Sequence, residues 1–141
     1  MQKISDFFVY QSGINFFPFV ELSINEKKLN ALIDSGCSIS ILSEKFFIEN
    51  IGAFEVLKEE LITSFLNLDT KVDYTAYSKI KINQSEFSDV YVSVVNFDAL
   101  HNILSISEKD VENFNFVLGA NFLFQNGIVL DFSGKAMFHN V

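Results

Sequence analysis

A single, mostly β domain with one or two short helices is the fold class this sequence predicts, on three observations. Apolar and polar residues alternate with period two from Phe16 to Ile33. Two further alternating runs, Tyr74 to Ile82 and Glu86 to Val95, flank Asn83-Gln84-Ser85 as the strands of a hairpin flank their turn. The last block, Asn115 to Asn140, is cut into strand-length pieces by Gly119, Asn126-Gly127 and Ser133-Gly134. The 141 residues are 49% apolar, enough to bury one sizeable core, and one Pro with six scattered Gly leaves no linker-like tract, so residues 1–141 read as one domain.

Composition narrows the function classes. Ten basic residues against 18 dispersed acidic ones give a net charge of −8, which argues against a nucleic-acid partner. Seventeen Phe, four Tyr and no Trp indicate large apolar contacts spread through a core rather than a base-stacking platform. The longest apolar stretch, Phe7 to Ile24, is interrupted by Gln11, Asn15, Pro18 and Glu21 and does not span a bilayer as a helix, so no membrane partner is expected. No basic segment followed by an apolar one opens the chain, and the single Cys37 fits a reducing compartment; a cytoplasmic protein is expected. Two His and one Cys at unrelated spacings make no metal-ligand set, and no cofactor is implied.

In chain order, Val20, Leu22 and Ile24 oppose Glu21, Ser23 and Asn25, and the chain turns at Glu26-Lys27-Lys28. The return strand, Leu29 to Ile33, becomes apolar on both faces, as a strand entering the interior does, and places Asp34 deep. Ser43 is positioned to cap a short helix whose Phe46 and Phe47 turn inward and which stops near Asn50-Ile51-Gly52. Residues 54 to 71 hold a strand and a polar tip, Asn67 to Lys71, read as a loop over a cleft. In the hairpin that follows, Ile80 and Ile82 alternate with Lys79 and Lys81, and Val90, Val92 and Val94 extend the apolar face. Between Asn96 and Asn115 the pattern becomes a polar connection with a single helical turn at Ser107-Glu108-Lys109-Asp110. The final block reads strand, Gly119, short helix, turn, strand, turn, strand.

The chemistry-bearing stretch is Ala31 to Ile41, where an apolar run delivers Asp34 into a Ser35-Gly36 turn. A carboxylate placed at the end of a buried strand is costly unless something bonds or uses it. Asp-Ser-Gly alone also spells an ordinary turn. Downstream, Phe116-Val117-Leu118-Gly119 precedes Asn121-Phe122-Leu123 and then Gly127-Ile128-Val129-Leu130-Asp131-Phe132. The ordered pair, 84 positions apart from Asp34 to Leu118, resembles the retropepsin-like aspartic peptidases over roughly residues 16–138.

That resemblance implies a retropepsin-like closed β-barrel or sandwich in which each subunit supplies one Asp-Ser-Gly. The chain carries a single copy, so the resemblance further implies a homodimer with Asp34 from each subunit as the catalytic pair, cutting a peptide or protein segment bound in extended form. Ser35 would hydrogen-bond across the dimer axis, Gly36 would let backbone approach the acids, and Leu118 and Gly119 would support the loop from behind. The family's flap falls on Ser64, Phe65, Leu66, Asn67 and Leu68, without the glycine that flap tips usually carry, and Asn121 stands where many members have Asp. The Gly-free flap keeps open a second class: a dimeric peptide-binding or assembly module with the fold and little or no hydrolysis. Asp131 lacks a following Ser-Gly and reads as a turn or solvent-facing residue, and Cys37 as a small buried residue, since neither His101 nor His139 stands in a context that would activate a thiol.

Overall fold

The computed structural model describes residues 1–57, 61–65, 68–72 and 74–140. Strands β1 (Gln2–Asp6) and β2 (Phe8–Ser12) are followed by the long pair β3 (Asn15–Ile24) and β4 (Lys27–Ile33). Then come β5 (Ser40–Ser43), helix α1 (Glu44–Glu49), a 3-10 turn (Ile51–Ala53), β6 (Phe54–Val56), β7 (Leu61–Phe65), β8 (Leu68–Val72), β9 (Tyr74–Ile82) and β10 (Ser85–Val95). Helix α2 (Phe97–Leu104), β11 (Phe114–Leu118), α3 (Ala120–Gln125), β12 (Ile128–Asp131) and β13 (Ala136–His139) complete the order.

Six strands close a barrel in the order β3-β4-β11-β5-β10-β9, with a β9 to β3 pairing at Ser23↔Lys81 shutting the ring. Two of its pairings, β4 with β11 and β5 with β10, are parallel, while β11 and β5 run antiparallel between them. Parallel pairs need both faces covered, and successive residues here go to opposite cores. Ile33 and Leu118 join the interior cluster with Val20, Leu22, Ile80 and Val92, whereas Leu32 and Val117 join a second cluster outside the sheet. That outer cluster is roofed by Phe97, Leu100 and Leu104 of α2 together with Ile106 and Val111. Each fully buried side chain of this size contributes about 1.5–3 kcal/mol, so α2 is held by what it covers.

The hairpin readings hold, with shifted turns. The β3–β4 turn is Asn25-Glu26, both at positive φ (51° and 68°), the geometry that matches the twist of a two-residue hairpin. Lys27 and Lys28, expected in that turn, already pair with Ile24 and Ser23. Ile80 and Ile82 are fully buried between exposed Lys79 and Lys81. A bulge between Phe87 and Val90, with Asp89 at φ 55°, lets both apolar residues face the core. Ser43 caps α1, its Oγ accepting from Phe46 N–H at 3.1 Å, and Phe46 and Phe47 are buried.

Two segments differ from the sequence reading. The stretch read as a polar connection contains α2, capped by Asn96, whose Oδ1 accepts from Asp98 N–H at 2.9 Å, and ended by Ser105 in the left-handed region. Its apolar positions, 97, 100 and 104, are helically spaced, and tertiary burial rather than intrinsic propensity carries so short a helix. Residues 61–65 and 68–72 pair as an antiparallel two-stranded sheet, Leu61↔Val72 to Phe65↔Leu68, so Asp69, Thr70 and Lys71 lie in β8 rather than in a loop. Its root is tied by Leu57 N–H to the Thr75 carbonyl at 2.9 Å. The expected flap residues Ser64, Phe65 and Leu68 lie on its strands; Leu66 and Asn67 lie outside the described residues.

Candidate active site

β4 ends at Ile33, and the backbone of the next residue is pinned sideways: Asp34 N–H donates to the Leu118 carbonyl at 3.0 Å, extending the β4–β11 ladder by one bond. The chain then folds back on the carboxylate. Gly36 N–H donates to Asp34 Oδ1 at 2.9 Å and Cys37 N–H to the Asp34 carbonyl at 3.2 Å, an aspartate-anchored turn. A Cβ on Gly36 would sit 3.2 Å from Asp34 Oδ1, so the missing side chain keeps that approach open. Asp34 is half-buried rather than deep, because it has left the strand and stands on the loop's rim; Ser35 and Gly36 are exposed.

Behind the loop stands Gly119. A Cβ there would meet the Cys37 carbonyl oxygen at 2.6 Å, Ile39 C at 2.9 Å and Ser40 N at 2.9 Å, all backbone atoms. The close approach lets Ala120 N–H reach the Cys37 carbonyl at 2.6 Å and Asn121 N–H the Ser38 carbonyl at 3.2 Å. Leu118, fully buried, fills the interior beneath. Ser40 and Asn121 complete the brace: Asn121 Oδ1 accepts from Ser40 N–H and Ser40 Oγ, both at 2.8 Å, Ser40 Oγ accepts from Gly119 N–H at 3.0 Å, and Asn121 Nδ2 donates to the Tyr91 carbonyl at 2.8 Å. Ser40 was not singled out from sequence. Its signal is a lone hydroxyl inside the apolar run Ile39-Ser40-Ile41-Leu42, which must find a partner when buried.

The model of the family described as "Aspartyl protease" matches residues 20–122, a segment that begins in β3, includes the Asp34 loop and ends just past Asn121. The chain belongs to the aspartyl protease family. Its fold agrees with that membership. The crystal structure of the retroviral protease-like domain of Ddi1 from Leishmania major is similar at a TM-score of 0.53 and 11% identity, covering 87% of this chain and 92% of that one. A retropepsin-like aspartic protease from Rickettsia conorii is similar at a TM-score of 0.51 and 15% identity, with both chains covered in full. No curated protein matches the chain. The closed barrel described above is thus a retropepsin-like aspartyl protease fold.

Other residues weighed from the sequence take structural places in this member of the aspartyl protease family. Asp131 is exposed and closes a turn, its Oδ1 accepting from Gly134 N–H at 3.1 Å. Cys37 is fully buried and its thiol donates to the Ile39 carbonyl at 3.0 Å; burial, and then the nearby Asp34 charge, push the thiol up to about 12. His101 lies on α2, 3.9 Å from Asp98, and His139 lies on β13 against Gln2 at 3.3 Å, so neither bonds the thiol. Among the described residues no group of three or more His, Cys, Asp or Glu is placed to hold a metal ion. Among the same residues, no helix is long and apolar enough to cross a membrane. A cleft of about 630 Å³ between α1, α2 and residues 107–109, and another of about 370 Å³ beside the Asn25-Glu26 turn, are lined by none of Asp34, Ser35 and Gly36.

Proposed function

We propose that the protein is an aspartic endopeptidase that works as a homodimer, with Asp34 of each copy forming one acid pair. The observation that carries the reading is the braced loop: an Asp-Ser-Gly whose carboxylate is oriented by Gly36 N–H and whose backbone is fixed to Leu118 and Ala120. Family membership over residues 20–122 supports it. A half-buried acid on a rim, with Ser35 and Gly36 exposed beside it, suits a site completed by a second copy.

Two carboxylates in contact cannot both ionise, so the pair holds one shared proton. The ionised Asp34 takes a proton from water as its oxygen attacks the scissile carbonyl, and the protonated Asp34 gives its proton to the carbonyl oxygen. Collapse of the tetrahedral species breaks the C–N bond, the amine leaving with a proton from the first acid while the second takes back a hydroxyl proton as the new carbonyl forms, which restores the singly protonated pair. Ser35, exposed beside the acid, bonds across the two-fold axis, and Leu118 with Gly119 keeps the loop from retreating. The β7–β8 hairpin is the flap, closing over a peptide bound as an added strand. The buried free thiol of Cys37 accords with the reducing cytoplasm as the working compartment.

The test compares the wild type and Asp34→Asn on an unfolded protein substrate across pH, with a statine-type transition-state mimic as inhibitor. The wild type is expected to cleave and to be inhibited, and the Asp34→Asn variant to fold but be inactive. Turnover retained by that variant removes Asp34 from the mechanism. Binding without products at every pH assigns the protein instead to the peptide-binding class that the Gly-free flap sequence keeps open.

A further inference from the structure

The β2–β3 hairpin is longer than the barrel requires. The β3–β4 ladder stops at Phe19↔Leu32, two residues short of Asp34, while the β2–β3 ladder runs on through Val9↔Pro18, Tyr10↔Phe17 and Gln11↔Phe16 to Ser12↔Asn15. At about 3.3 Å per residue the hairpin overhangs the last β3–β4 pair by about 13 Å, roughly 7 Å of which brings it level with Asp34. Among the described residues the overhang pairs with no strand but its own, and beside Gln11 and Asn15 it holds two large apolar side chains in the open. Ile14 at the turn is 91% exposed and Phe16 64%. Gly13 at φ 60° makes the tight turn that holds Ile14 out. From Phe7 to Val20 there is no charged residue, in a chain of net charge −8.

We infer that this hairpin is a docking element for a second copy of the chain, with Ile14 and Phe16 buried against the partner beside the paired Asp34 loops. The inference rests on the homodimeric reading above and deepens it. Two copies that each carry a charge of −8 repel, so their contact is favoured where charge is absent, and the uncharged segment is the one that flanks the loop needing a partner. An approach that brings two Asp34 side chains together brings two overhanging hairpins to the same junction, because each extends past its own Asp34 level. Exposed aromatic and branched side chains then lose their water between the copies, as the anchors of an interface do.

The experiment measures the dimer dissociation constant by sedimentation for the full-length wild type, Ile51→Ser as an exposed apolar control away from the hairpin, and Ile14→Ser/Phe16→Ser. The expected result is a dissociation constant raised at least about tenfold in the double variant, an unchanged one in Ile51→Ser, and peptide cleavage by the double variant that recovers as protein concentration is raised. Both replaced side chains are exposed, so far-UV circular dichroism should match the wild type. As an independent readout, a benzophenone amino acid at position 14 should photocrosslink two copies into a dimer band. A wild-type dimer whose affinity is untouched by the double substitution, with no crosslink from position 14, overturns the hairpin's role and leaves the dimeric protease intact. A wild type that is monomeric yet cleaves overturns both.

Discussion

Replacing Gly119 by Ala tests the brace behind the Asp34 loop. The residue sits at φ −94° and ψ −177°, which any amino acid adopts, so the cost is not backbone strain. It is contact: the new methyl lands 2.6 Å from the Cys37 carbonyl oxygen and 2.9 Å from Ile39 C and Ser40 N, inside the 3.4 Å at which ordinary contact begins. All three are backbone atoms, so no rotamer change relieves the overlap. Overpacking of this kind costs about 1–3 kcal/mol. If the two segments separate to make room, the bonds from Ala120 N–H to Cys37 O and from Gly119 N–H to Ser40 Oγ weaken, adding about 1 kcal/mol each. We therefore expect Gly119→Ala to lose about 3–5 kcal/mol in urea denaturation at fixed protein concentration, with an unchanged m value. Gly52→Ala is the matched control: a Cβ there meets nothing within 4 Å, so its stability should move by less than about 0.5 kcal/mol. A Gly119→Ala protein as stable as the control would refute the close approach on which the loop's support is argued.

Further expectations follow from the same network. Asn121→Ala leaves Ser40 N–H and the Tyr91 carbonyl each without the side-chain partner seen here, and should cost about 2–3 kcal/mol by chemical denaturation, with loss of cleavage exceeding that of a comparable surface change. Ser43→Ala removes both the α1 cap and the 2.7 Å bond to Asn115 Oδ1, for about 1–2 kcal/mol in the same assay. Cys37 should resist thiol reagents in the native protein at pH 8 and react at once on unfolding, because the folded thiol is pushed up to about 12 from 9.0. The sign for stability follows: the native state holds the thiol proton more tightly, so stability is intact below pH 9 and falls as pH rises toward 12, by up to about 1.4 kcal/mol per pH unit. Cys37→Ala should lose that part of the alkaline slope, which separates it from the titration of Lys and Tyr.

What the sequence made legible was local. Period-two alternation placed β3, β4, β9 and β10 because each hydrophobic row has one destination, and Ser43 announced α1 because a cap acts within three residues. Turn boundaries slipped where the chain accepted unusual geometry, as at Glu26 with φ 68°, a conformation composition does not advertise for a glutamate. The sequence hides helix α2 because its three apolar anchors are set among Asp98, His101 and Asn102, and only the outer face of the barrel, with Ile41, Val95 and Phe114, gives them a seat. Asp34 was placed too deep for a related reason. An apolar strand shows which way the chain is heading, not the residue at which it emerges, and here it emerges one residue early.

That emergence has a chemical consequence. An acid sealed inside one chain would have its charge suppressed by its own surroundings, and no second carboxylate could reach it. On the rim, Asp34 keeps one oxygen bound to Gly36 N–H, and on the homodimeric reading proposed above the property a shared-proton pair needs, contact with an equal acid, is left to association. The loop is braced through Leu118, Gly119, Ser40 and Asn121, and on the same reading it is open where a second copy would complete the site. If this division holds, weakening the brace and weakening the contact between copies should be separable. Gly119→Ala should lower stability and cleavage at every protein concentration, and a change on the β2–β3 hairpin should lower cleavage only when the protein is dilute.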